Sequence, residues 1–457
     1  MSIIEDIVGA INGFVWGPFT LILIVGTGIF LTIRLGFLQI RDLPYALKLT
    51  FSKSSNKDKE AKGDISHFQS LMTAMAATLG IGNISGVASA VLLGGVGALF
   101  WMWLAAFFGM ATKYGEAILA VKYRVVNHKG EMSGGPMYYI EKGLGWKWLA
   151  VLFALFGCLA SFGIGNMTQS NTVANSLSDS FNIAPWITGL ALMLCTGLVL
   201  LGGVKSIGRV TAIFVPFMAL FYLIGGLVII IMNITLVPEA FGVIFTAAFN
   251  PEAAAGGAIG LAIRYGIARG VFSNEAGLGS APIAAAAAKT DYPGRQALVS
   301  MTGTFLDTII ICTITGLTIV MSGLYVGAES DSQAVLTGQA FGHFLPGGNL
   351  IVVFGIMFFA YSTILGWSYY GEKCFGYLFG DEKAFIYRAL FVVTVFFGAT
   401  TTVQLVWDIA DTFNALMAIP NLIALCLLSG VIVSETNKFR EVRTKEKIEA
   451  KNRKMAS

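Results

Sequence analysis

Residues 67–95 read HFQSLMTAMAATLGIGNISGVASAVLLGG. The apolar run 67–94 exceeds the ~20 residues that a straight membrane crossing needs. Its middle carries Thr78-Leu79-Gly80-Ile81-Gly82-Asn83. Glycine inside a helix costs ~1 kcal/mol per residue, so two at this spacing predict a break. Residues 256–289, GGAIGLAIRYGIARGVFSNEAGLGSAPIAAAAAK, repeat the theme, with Gly266, Gly270, Gly277, Gly279 and Pro282 around Ser273-Asn274-Glu275. Unwound backbone within a bilayer is tolerated only where it lines a cavity or is buried in protein. Close packing could explain the glycines of either run alone. Two matching interruptions point instead to the binding site of a secondary transporter.

Composition agrees with a lipid solvent. Of the 457 residues, 56% are hydrophobic and 12% charged, about half the charge of an average soluble domain. Mean hydropathy is +0.74. The beginning of the chain carries Glu5 and Asp6 rather than a basic stretch, so the first apolar run is read as a retained span. Cys158, Cys195, Cys312, Cys374 and Cys426 have no paired or metal-like spacing and are read as packing residues. Nothing in the charge pattern suggests a nucleic-acid partner.

Eleven segments pass as spans: 14–33, 67–94, 97–121, 148–171, 186–203, 210–233, 256–288, 297–325, 350–371, 385–403 and 409–434. Twenty-seven of the 30 basic residues fall in alternate loops or in the tail from Lys438 onward. The other three, Lys113, Arg264 and Arg269, lie inside spans. By the positive-inside rule the N-terminus is outside and the C-terminus cytoplasmic. The tail 438–457 is read as a solvated basic segment. The two interrupted runs are five spans apart, so they enter from opposite faces. Residues 67–233 and 256–434 then form two five-helix halves of inverted topology, with 14–33 as a peripheral first helix.

Residues 94–109, GGVGALFWMWLAAFFG, resemble the signature of the alanine-or-glycine:cation symporter family. TLGIGNISGVASA, SGGPMYYIEKGLG and ARGVFSNEAGLGSAPIAAAA are similar to the family as well. The resemblance implies an all-α, leucine-transporter-like 5+5 fold and sodium-coupled uptake of alanine or glycine. The chain is read as a single transporter domain in the cell membrane, a monomer, and not an enzyme.

A zwitterion needs an anion site and a cation site close together. The half-helix starting near Gly82-Asn83 offers N–H groups and a positive dipole end for a carboxylate, and Gly80 and Gly82 admit close approach. Acceptors for the ammonium are expected from carbonyls near Thr78 and Gly270–Ser273 and from Gln169. Phe162, Phe272 and Trp367 are candidate walls that limit substrate size. The fold resemblance places Na+ between Ala76, Leu79, Ser362 and Thr363. A second ion is expected near Thr78, Asn83, Ser273 and Asp307. Lys113 and Glu116, at i and i+3, are expected to pair, Glu275 to brace the second break, and Arg264 and Arg269 to form an outer gate.

Two rival functions use the same features. Proton coupling would employ Asp307 or Glu116. A channel fits less well, because one chain here supplies two halves of its own.

Overall fold

The first interrupted run breaks where its glycines predict. In the computed structural model, which describes residues 2–52, 62–249, 258–329, 333–401 and 404–456, the chain is almost wholly helical. Helix α1 (Pro18–Arg34) precedes the break. Helix α2 (His67–Thr78) opens on a capping box: Ser66 Oγ accepts from Gln69 N–H, and Gln69 Oε1 accepts from Ser66 N–H. Gly80 is extended, a 3₁₀ turn covers Ile81–Asn83, and helix α3 (Ser85–Gly94) resumes with no side-chain cap. Asn83 Oδ1 accepts from Gly80 N–H at 3.0 Å and holds the break in shape.

Helix α4 (Ala98–Lys122) is a long, mostly buried crossing. Helices α5 (Lys147–Phe162) and α6 (Thr168–Phe181) form one 35-residue rod with a π turn at Gly163–Met167. Helices α7 (Pro185–Leu200) and α8 (Gly203–Met232) follow. The second interrupted run is helix α9 (Ala258–Asn274), then a non-helical stretch, then the short helix α10 (Ala281–Ala286). Glu275, Gly277 and Gly279 all have positive φ, 57°, 92° and 84°. Two glycines make that path accessible, and Pro282 sits in the first turn of α10, where its missing N–H is harmless. Helices α11 (Pro293–Thr304) and α12 (Thr313–Ser322) flank a π segment at Phe305–Cys312. Helices α13 (Gly348–Phe379), α14 (Ala384–Thr400), α15 (Gln404–Leu427) and α16 (Ser429–Ala456) complete the chain.

Eight of the eleven segments read as spans contain helices long and apolar enough to cross a bilayer unaided. The other three are the two broken runs and the 16-residue α7. Residues 256–257 and 402–403, at the edges of two expected spans, lie outside the described residues. Apolar side chains such as Leu198, Ile213 and Phe385 face outward at 70–72% exposure. Such a surface suits acyl chains rather than water.

The two breaks cross at Gly82. A Cβ there would lie 3.1 Å from the Phe272 ring and from Ser273 Cα, so the missing side chain sets how closely the breaks approach. At the basic-loop end the two broken runs are tied by backbone. Lys289 N–H donates to Ile65 O at 2.7 Å, and Asp64 N–H to Ala287 O at 2.9 Å. Arg124 straps this clasp, donating to the carbonyls of Lys62, Ala286, Ala288 and Thr290 at 2.7–3.4 Å.

Candidate solute and cation site

Helix α2 ends with carbonyls that have no helical successor. Helix α13 passes beside them, close enough because Gly366 faces Ala77, where a Cβ would lie 2.6 Å from the Ala77 nitrogen. This brings together the four residues expected to surround sodium. Ser362 Oγ lies 3.1 Å from Ala76 O and 3.2 Å from Leu79 O. Thr363 Oγ1 lies 3.3 Å from Leu79 O. Both hydroxyls also reach Phe359 O, at 2.8 and 3.0 Å. That last contact is the ordinary back-bonding of hydroxyls in membrane helices, but it accounts for only part of the geometry. Two hydroxyl oxygens and three carbonyl oxygens converge, and the carbonyls of Ala76 and Leu79 lie at the end of α2. Such a cluster of hard oxygens suits an alkali cation.

A cavity of 20 Å³ adjoins this cluster, lined by Thr78, Gly80, Gly82, Gln169, Phe272 and Trp367 among others. It lies between the two breaks. Gln169 Nε2 donates to Ile164 O at 3.0 Å, while Gln169 Oε1 is buried with no partner among the described residues. Trp367 packs over Gly165 in the π turn, a contact that any Cβ would prevent. Phe272 lines this cavity and a wider vestibule of 960 Å³, which reaches Asn171, Asp179, Arg269 and Asn349. The vestibule lies at the end of the molecule opposite the clasp.

Asp307, fully buried, gathers donors from three elements. Asn83 Nδ2 lies 2.7 Å from its Oδ1, and Ser273 Oγ and Thr308 Oγ1 lie 3.0 and 2.7 Å from its Oδ2. Asn83, Ser273 and Asp307 therefore meet as expected. Thr78 does not join them: its hydroxyl donates to Ala74 O at 2.9 Å, and its role in the structure is to line the cavity.

Other expectations are corrected. Gly270 is not unwound; it lies within α9, where its missing Cβ admits Met102 of α4. The helix ends later, because Gly277 and Gly279 supply the positive φ that unwinding needs. Lys113 and Glu116 do not pair. Lys113 Nζ donates to Asn274 O at 2.7 Å. Glu116 Oε1 instead accepts from the N–H groups of Gly277 and Gly279, both at 3.1 Å, and from Asn421 Nδ2 at 2.7 Å. The break exposes backbone donors that win the carboxylate from a neighbour on its own helix. Phe162 packs on Tyr387 and Phe391, away from the cavity. Arg264 and Arg269 lie over the rings of Tyr265 and Phe272, and neither makes an ion pair among the described residues. Glu275 does brace the second break, accepting from Ser280 Oγ at 2.7 Å. Asn414 and Asn421 of α15 were not expected from sequence: Asn414 lines the cavity. No short-range pattern marks either.

The chain matches the family model for the sodium:alanine symporter family over residues 1–454. It is 61% identical over 453 residues to the sodium/alanine symporter AgcS of Methanococcus maripaludis, covering 98% of this chain and 99% of that one. It is 39% identical to the "Probable sodium/glutamine symporter GlnT" of Bacillus subtilis, covering 96% and 91%. Among solved structures it resembles MhsT in complex with L-phenylalanine, with TM-score 0.61 at 15% identity over 82% of this chain and 93% of that one. This likeness supports the leucine-transporter-like architecture. Broken helices around a shared cavity, an apolar girdle and a family match along nearly the whole length converge: this multi-pass membrane protein belongs to the sodium:alanine symporter family.

Proposed function

We propose that the protein takes up alanine or glycine together with Na+ by alternating access. The observation that carries this is the five-oxygen cluster of Ala76, Leu79, Phe359, Ser362 and Thr363 beside a small polar cavity. In this reading Na+ is held by Ala76 O, Leu79 O, Ser362 and Thr363. The substrate carboxylate meets the N-terminal end of α3 near Gly80 and Gly82, where the helix starts without a side-chain cap. The ammonium meets Gln169 Oε1. Phe272 and Trp367 bound the side-chain space, which favours a hydrogen or a methyl. Asn83, Ser273 and Asp307 hold a second Na+.

The proposed topology has eleven crossings, with 67–233 and 256–434 as inverted halves and 14–33 peripheral. The N-terminus is outside, the tail 438–457 cytoplasmic, and the chain works as a monomer in the cell membrane. The vestibule then faces outward, with Phe272 as a thin gate and the Arg124 clasp closing the inner end.

The test is uptake of labelled alanine into proteoliposomes at fixed pH, with Na+ replaced by choline. Uptake should require inward-directed Na+ and saturate with alanine. Uptake that persists without Na+ and follows a proton gradient would refute the coupling. A non-saturating flux would favour a channel.

A further inference from the structure

We infer that Asn414, on α15, is a third-wall contact for the substrate ammonium and a determinant of selectivity for primary amines. The inference rests on the proposed substrate reading, and it adds a helix that neither break contains. Asn414 is 1% exposed and lines the same cavity as Gln169, Gly80 and Trp367. Its Oδ1 has no partner among the described residues, which it shares with Gln169 Oε1. A buried carbonyl oxygen left without a donor is destabilising. Two such oxygens on one small cavity therefore mark where a donor-rich guest belongs.

The placement is built into the packing. Gly163, at the start of the π turn, faces Ala410 so closely that no Cβ could be accommodated. That contact draws α15 against the rod of α5 and α6. Asn414 follows Ala410 by one helical turn and so lies on the same face of α15. Asn421, two turns on, shares the face but is fully engaged, with Nδ2 on Glu116 Oε1 and on Gly277 O at 2.7 and 2.9 Å and Oδ1 accepting from Tyr139. Asn421 shows what an asparagine serving structure looks like on this face. Asn414 Oδ1 has no such engagement. An alkylammonium carries three N–H donors, so Gln169 Oε1 and Asn414 Oδ1 can each take one. A methyl on the nitrogen removes one of those donors and adds bulk between the two oxygens.

The experiment measures alanine and N-methylalanine binding to purified protein at saturating Na+, for wild type, Asn414→Ala and Asn414→Ser. Asn414→Ala should weaken alanine binding about tenfold to a hundredfold and shrink the preference for alanine over N-methylalanine. Asn414→Ser should recover part of both. The Na+-only shift in melting temperature should stay at its wild-type size. Unchanged alanine affinity and unchanged preference in a stably folded Asn414→Ala would overturn the inference. If Asn414→Ala does not fold, the same two readings are taken from Asn414→Leu, which keeps the volume and removes the acceptor; unaltered values there refute it equally. Failure of wild type to bind alanine would instead overturn the substrate assignment itself.

Discussion

Replacing Ser362 with alanine tests the proposed cation site most directly. Three carbonyl oxygens, those of Ala76, Leu79 and Phe359, lie 3.1, 3.2 and 2.8 Å from Ser362 Oγ. The hydroxyl has one proton and can satisfy one of them. A sodium ion among these oxygens needs no proton and attracts all of them at once. Ser362→Ala removes one oxygen from that shell and leaves the carbonyls in place. Losing one interaction with a charged group weakens binding by about 1.5–3 kcal/mol, so half-saturating Na+ should rise by about tenfold to a hundredfold. At saturating Na+, alanine uptake should recover most of its maximal rate. The assay is sodium activation of alanine uptake in proteoliposomes, with Na+-dependent thermal protection of the detergent-solubilised protein as a second reading. A variant that folds, transports, and keeps the wild-type half-saturating Na+ would refute the assignment. The hydroxyl would then serve helix packing alone.

Three further perturbations probe the neighbourhood. Gly80→Ala places a methyl 2.5 Å from Thr363 Oγ1 and should impair uptake severely; adding Thr363→Ala should restore thermal stability without restoring sodium dependence, as melting curves and uptake together would reveal. Arg124→Ala removes the strap across four carbonyls and should favour inner opening; a cysteine introduced by Ala286→Cys, at a site that is otherwise fully buried, should then react several-fold faster with a hydrophilic thiol reagent. On the basic-loop side, burial alone would raise the Asp42 carboxyl, but Arg443 at 2.5 Å and Arg41 at 3.0 Å hold it below the ordinary 3.8. A lowered folded-state value means a stabilising contribution that is present above pH 3.8 and lost as pH falls through the depressed value. Asp42→Asn should therefore melt lower than wild type at neutral pH, and the gap should close in acid; a gap independent of pH would refute the pairing.

Much of the site was legible because it is local. The TLGIGN break is written in two glycines, and the loss of helical carbonyl partners after Thr78 follows from it. Ser362 and Thr363 were placed by resemblance to a known fold, and the packing of Gly366 on Ala77 gives that placement its physical basis. What failed was inference from spacing alone. Lys113 and Glu116 have ideal separation for a helical pair, yet the backbone donors released at Gly277 and Gly279 lie across from Glu116 and take it. Gly270 reads like a breaker but is a contact surface for Met102. Thr78 was expected beside Asn83, Ser273 and Asp307, but its hydroxyl donates to Ala74 O and it lines the cavity instead. Asn414 was invisible because its relevance depends on Gly163, some 250 residues earlier in the chain.

Glu116 has a consequence for how a guest is oriented. The second break offers two adjacent N–H groups, a natural berth for a carboxylate, and the protein already moors one of its own there. At the first break the Gly80 N–H is held by an amide oxygen, Asn83 Oδ1, rather than by a carboxylate. In the proposed reading the guest's carboxylate therefore goes to the first break, because the N–H groups of Gly277 and Gly279 are already taken at the second. On that proposal, a carboxylate covalently fixed at one break sets the direction in which a guest would lie between the two.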